Sequence, residues 1–117
     1  MPESTPSGPS ALEAFAALEL HVGTVLEARP NPGARGQALV LELDLGGLGR
    51  KTSSARLGAD YEPAALVGSQ VVCATNLGVR RVAGVRSEVL VLAAVTEGGA
   101  TILLRPDRQV APGTPVH

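Results

Sequence analysis

"ALVLELDLG", residues Ala38 to Gly46, decides the fold. Leu39, Leu41, Leu43 and Leu45 alternate with Val40, Glu42 and Asp44. Successive side chains of a strand point to opposite sides, so the leucines share one face and the two carboxylates share the other. The segment is therefore a strand with one side in a core and the other mostly wet.

Working outward, "RPNPGARG" (Arg29 to Gly36) reads as a loop, because Pro30, Pro32 and two glycines interrupt regular structure. Before it, Leu20 to Ala28 reads as a strand in which Gly23 permits a bulge or bend. After it, "RKTSSA" is a shorter, polar strand. Tyr61 to Leu66 predicts one or two helical turns with Pro63 at the first position and an end at Gly68. "SQVVCATN", "EVLVLAAVT" and "ATILLR" are three further strands. The tail, Pro106 to His117, carries three prolines and reads as extended.

At the other end, residues 1–9 are rich in Ser, Pro and Gly and predict a disordered tail. Ser10 and Glu13 then form a capping-box signature, followed by Leu12, Phe15 and Ala16 on one helical face. So short a helix is marginal alone and must dock on something. Many short strands with few helical turns predict an all-β barrel or sandwich, with residues 10–117 as one domain. In "EVLVLAAV", Val89 and Val91 face one way and Leu90 and Leu92 the other, so both faces are apolar. One meets the core; the N-terminal helix or a second subunit must cover the other, and we expect a homodimer.

A chain of 117 residues, 44% hydrophobic, can bury a core without staples. Its one cysteine, Cys73, allows no intramolecular disulfide, and with two histidines it cannot make a structural zinc site, so no metal or cofactor is expected. The first ten residues lack the basic and apolar regions of a signal peptide, and no run approaches the roughly 18 apolar residues of a membrane span. The expectation is a cytoplasmic protein without membrane insertion.

Net charge is −1, unevenly spread. Arg50 to Arg86 holds six bases and two acids, +4; the remainder holds four bases and nine acids, −5. Within "NLGVRRVAGVRSEVLVL" (Asn76 to Leu92), Arg80, Arg81 and Arg86 meet no acid until Glu88. A regular strand would point Arg80 and Arg81 to opposite faces, and burying a guanidinium in a small barrel is costly. The segment should thus be a loop, a bulge or a strand projecting past the rim, helped by Gly78 and Gly84. The three arginines could then converge on one outer surface, or they could be scattered solvated charges.

"LELHVGTVLEA", "KTSSA", "YEPAALVGSQVV", "NLGVRRVAGVRSEVLVL" and "LLRPDRQVAPGTPV" stand in the order and spacing of the tRNA-binding domain. The chain resembles that family over roughly Phe15 to His117. Ser53–Ala55 and Ser87–Leu92 look like the stand-alone CsaA-type secretion chaperones. The resemblance implies a five-stranded OB-fold barrel with a short N-terminal helix and an extended C-terminal tail. It implies a homodimer that binds tRNA and unfolded preproteins. The family's binding surface would fall on Lys51, Ser53, Ser54, Asn76, Arg80, Arg81, Ser87 and Glu88, to which charge adds Arg56 and Arg86. His21 stands where the family usually has arginine, Arg56 replaces a common glutamine, and Gly78 replaces a proline.

Bidentate arginines suit phosphates, and Ser and Asn add neutral hydrogen bonds. With only Phe15 and Tyr61 as aromatics, base stacking is a poor mode; backbone charge and the folded shape of tRNA are left. Neutralising about six phosphates predicts a log-affinity slope against log salt of about −4. Val79, Val82 and Val85 among the arginines could instead make an amphipathic groove for apolar and acidic polypeptide, although each alone reads as core. No enzyme is expected. Lys51 beside Ser53 and Ser54 lacks an oxyanion-hole motif or nucleophile elbow, and Cys73 reads as a buried small hydrophobe.

Overall fold

The computed structural model describes residues 8–34, 37–57 and 60–117. The predicted disordered tail falls largely outside the described residues. Helix α1 (Ala11–Ala17) is followed by β1 (Leu20–Pro30), β2 (Leu39–Asp44), a 3₁₀ turn (Gly46–Leu48) and β3 (Arg50–Ala55). Then come α2 (Pro63–Leu66), β4 (Gln70–Ala74), β5 (Arg80–Val82), β6 (Val85–Ser87) and β7 (Leu90–Val91). The chain ends with β8 (Ala93–Val95), β9 (Thr101–Leu103) and β10 (Pro115–Val116).

The main sheet runs β3-β2-β1-β4-β7, with β10 paired to β1. All neighbouring pairs are antiparallel. It curls into a nearly closed five-stranded barrel, so the expected all-β barrel is the observed one. Leu39, Leu41, Leu43 and Leu45 all point into it and are essentially inaccessible. Val25, Leu57, Leu66, Val71, Cys73, Val89, Val91 and Leu103 complete the core. Leu90, by contrast, faces out. Pro63 sits in the first turn of α2, as expected.

Three expectations need correction. Arg29 and Pro30 are not loop; β1 continues through them, pairing with Val40 and Leu39. Gly23 is not the bulge: it pairs regularly with Val71, and the register slips instead between Val25 and Glu27. Space is tight at Gly23: a methyl there would press the Leu45 side chain at 3.0 Å, so that leucine would have to shift by a few tenths of an ångström. Helix α1 has its capping box, with Ser10 and Glu13 exchanging hydrogen bonds, but it buries none of its residues. Phe15 is exposed rather than helix core, and α1 does not cover Leu90.

The barrel is closed between β3 and the segment after β6 by a seam of side chains. Ser53 Oγ donates to the Val89 carbonyl (2.8 Å), and the Ser54 amide donates to Ser87 Oγ (3.1 Å). Glu88 N donates to the Thr52 carbonyl (2.7 Å), while Thr52 N donates back to the Glu88 carboxylate (3.2 Å). These bonds stand in for a regular ladder.

The C-terminal tail straps the barrel. Gln70 donates from its amide to the Val110 carbonyl (2.7 Å) and accepts from Val110 N (3.0 Å). Gly113 N then donates to the Val22 carbonyl (2.7 Å), and Val22 N to the Thr114 carbonyl (2.9 Å). Where the strap crosses the end of β2, Gly46 and Gly113 let two backbones touch. A methyl on Gly46 would collide with the Pro112 carbonyl, and one on Gly113 with that of Leu45.

Cys73 is fully buried in β4, and burial pushes its thiol up to about 12. Only the thiolate is nucleophilic, so the folded protein should resist a thiol-specific disulfide reagent at pH 8 for as long as it stays folded. Complete labelling within minutes, without denaturant, would contradict this placement.

Candidate polypeptide and nucleic-acid interface

The stretch Arg80 to Ser87 is a projecting β-hairpin, β5–β6, outside the main sheet. Its two-residue turn, Ala83-Gly84, has positive φ at both positions (47° and 83°), the mirror-image turn whose twist matches paired strands. The register pairs Arg80 with Ser87, Arg81 with Arg86 and Val82 with Val85. Cross-strand partners share a face, and consecutive pairs alternate. So Arg80, Val82, Val85 and Ser87 lie on one face, and Arg81 and Arg86 on the other. The three arginines do not converge on a single surface.

The first face looks toward the barrel. Ser87 is buried in the seam, and Val85 is half-buried. Arg80 and Val82 help line a groove of about 530 Å³ between this hairpin and the second one, β8–β9. It is lined by Ser54 of β3, by Arg56 and Leu57 just after that strand, and by Leu90, Val91 and Val95. The lining is mainly aliphatic. Val82, Leu90 and Val95 stay exposed, Val95 at 72%. Val79 is also exposed, and none of Val79, Val82 and Val85 belongs to the core cluster.

The charges divide sharply. Arg29 donates to Glu42 (3.0 Å), and Arg50 reaches Glu27 (2.8 Å) and Glu42 (3.7 Å). Burial would raise the Glu42 carboxyl, but the Thr52 hydroxyl, Arg29 and Arg50 outweigh it and hold the group below the usual carboxylate range. Lys51 stands 3.9 Å from Glu88. Among the described residues, Arg56, Arg80, Arg81 and Arg86 make no ion pair. Arg81 makes one long bond, 3.3 Å, to the Gly84 carbonyl.

The expected site residues therefore separate. Arg56, Arg80 and Ser54 meet in the groove. Arg81 and Arg86 meet on the hairpin's far face. Ser53, Ser87 and Glu88 hold the seam; Ser53 is fully buried and offers no surface to a ligand. Asn76 uses its side-chain amide internally, accepting from Glu19 N (2.9 Å) and donating to the Ala17 carbonyl (2.7 Å). It ties α1 to the end of β4. Lys51 lines a separate hollow of about 240 Å³ with His21 and Thr75, where His21 Nδ1 lies 2.8 Å from the Thr75 hydroxyl. Of the groove residues missed in the sequence, Val95 and Thr101 come from segments whose only signal was an apolar strand, and Leu57 follows the polar strand "RKTSSA" with no signal of its own.

A family profile described as "Putative tRNA binding domain" matches residues 20–115. The chain belongs to the tRNA-binding-domain family. This tRNA-binding domain is similar in structure to the chaperone CsaA of Bacillus anthracis, with 41% identity and a TM-score of 0.84, covering 94% of this chain and all of that one. It is also similar to the CsaA chaperone of Picrophilus torridus, with 29% identity and a TM-score of 0.85 over 93% of this chain and all of the other. In sequence it is 35% identical over 103 residues to the methionine–tRNA ligase of Methanococcoides burtonii, covering 88% of this chain and 15% of the ligase. The tRNA-binding domain thus spans a small part of the ligases it matches, and the CsaA proteins are matched along their whole length. Among the described residues no helix is long and apolar enough to cross a membrane, and no three His, Cys, Asp or Glu side chains gather to hold a metal ion.

Proposed function

We propose that this tRNA-binding domain is a non-catalytic, cytoplasmic, homodimeric binding protein of the CsaA type that captures unfolded, export-bound polypeptides. The observation that carries the reading is the groove between the two hairpins: aliphatic walls with Arg56 and Arg80 at hand and, among the described residues, no carboxylate paired to either. Exposed apolar surface of this kind, edged by charge, marks a protein-binding surface. An extended polypeptide gains there by burying aliphatic side chains and by placing its own acids against guanidinium. Folded proteins keep such side chains in their cores, so the groove selects the unfolded state. The likeness to two CsaA chaperones supports the same reading.

The homodimer is supported by α1. Leu12 is 78% exposed and Phe15 54%, on a seven-residue helix that buries none of its residues among the described residues. A helix that short does not persist in water unless its apolar face is covered, and a second copy, whose helix has the same need, covers it.

Fluorescence anisotropy of a labelled preprotein tests the main reading. The unfolded preprotein should bind and the same protein, folded, should not. Equal anisotropy changes for both, or for neither, would remove the chaperone role. A second reading, tRNA binding, is favoured by the family and by Arg81 and Arg86 on the outer face. It predicts tRNA affinity that falls steeply with salt.

A further inference from the structure

Resting on the two readings above, we infer that the β5–β6 hairpin is a partition: tRNA phosphates occupy its outer face while polypeptide occupies its inner face, so that both ligands are held at once. The register is the first ground. Arg81 and Arg86 are direct cross-strand partners, whereas Arg80 pairs with Ser87 and turns toward the groove. No rotation of a side chain moves a strand residue across the ribbon.

The second ground is energetic. Like charges directly opposite on a two-stranded ribbon destabilise it. Neither Arg81 nor Arg86 has a carboxylate partner among the described residues to offset the repulsion. Arg81 makes one long bond to the Gly84 carbonyl of the turn, which leaves most of the pair's donors free and does nothing for the repulsion, whereas a phosphodiester meets both: one anion can bridge two guanidiniums on the same face. The groove differs in kind. Its two guanidiniums lie among Val82, Leu90, Val91 and Val95, an environment suited to side chains and not to a hydrated phosphate backbone.

The third ground is distance. Side chains on the two faces of a ribbon end on the order of 10 Å apart, beyond the screening length of about 8 Å at physiological salt. Charge neutralised on one face is felt only weakly on the other, and neither ligand occupies the other's volume. The hairpin is also braced: a methyl on Gly33 would come within 2.7 Å of the Ala83 carbonyl, so the turn abuts the β1–β2 connection.

The test uses the full chain, a labelled tRNA and a labelled unfolded preprotein, each titrated alone and then together. Changing Arg81→Ala with Arg86→Ala should weaken tRNA at least about tenfold and flatten its salt slope by about 0.7, the change for the one phosphate the pair bridges. Polypeptide affinity should stay within about twofold. Arg56→Ala with Arg80→Ala should do the reverse. Saturating tRNA should change polypeptide affinity less than about threefold, with both ligands sedimenting with the protein. Displacement of polypeptide by tRNA, or equal damage to both ligands from either pair of substitutions, overturns the partition. A wild-type protein that fails to bind one ligand in the single titrations overturns the underlying reading, and the partition with it.

Discussion

Gly113→Ala is expected to lower the free energy of unfolding by about 2–4 kcal/mol and the midpoint of thermal unfolding by roughly 10 °C. Two costs combine. Gly113 has a φ of 85°, where an alanine is strained, and its new methyl would strike the Leu45 carbonyl. That carbonyl belongs to the end of the leucine run that makes the core, so relief by backbone movement would disturb β2. Gly46→Ala should behave alike, because it meets the Pro112 carbonyl from the other side of the same crossing. Gly99→Ala separates the two costs. Its φ is 88°, yet nothing lies near the added methyl, so strain alone should remove about 1 kcal/mol. Calorimetry on the three variants checks the order. If Gly113→Ala falls no further than Gly99→Ala, the strap does not cross β2 as described.

Placing Asp at both Leu12 and Phe15 is expected to split the proposed homodimer. Each side chain is more than half exposed on the protomer. Covering a Leu or Phe contributes about 1.5–3 kcal/mol, so losing both from each protomer should weaken self-association at least about a hundredfold. Sedimentation at micromolar concentration should show the wild type near twice the 11.9 kDa protomer mass and the double variant at the protomer mass. Neither residue contributes to the core, so the midpoint of barrel unfolding extrapolated to low concentration should hardly change. A wild type that sediments as a clean monomer would defeat the dimer.

The barrel was legible because its signal is local. Four leucines at spacing two can share a face only on a strand, and the structure buries all four. Pro63 before a short apolar run and Ser10 with Glu13 were equally local and give α2 and α1. The site was less legible because its geometry depends on register. Which arginines share a face follows from a two-residue turn at Ala83-Gly84, and Ala with positive φ lacks the Asn-Gly or Asp-Gly signature of such a turn. The serines were ambiguous for another reason. A hydroxyl can bond a phosphate or its own chain equally well, and the partner of Ser53 is a carbonyl 36 residues away. The resemblance to a family finds these positions without saying whether they hold a ligand or the fold.

The exposed valines show the same limit. Val82 and Val85 sit at spacing three, which on a strand would divide them between faces. The tight turn between them reverses the chain and returns both to one face, next to the groove.

The most direct test of the account is to map bound polypeptide on the protein by backbone amide NMR, titrating a peptide from an unfolded preprotein that carries aliphatic and acidic residues. Shifts should concentrate at Arg56, Arg80, Val82, Leu90 and Val95, leaving Arg81 and Arg86 almost unmoved. Shifts confined to Arg81 and Arg86, or spread evenly over the barrel, would contradict it.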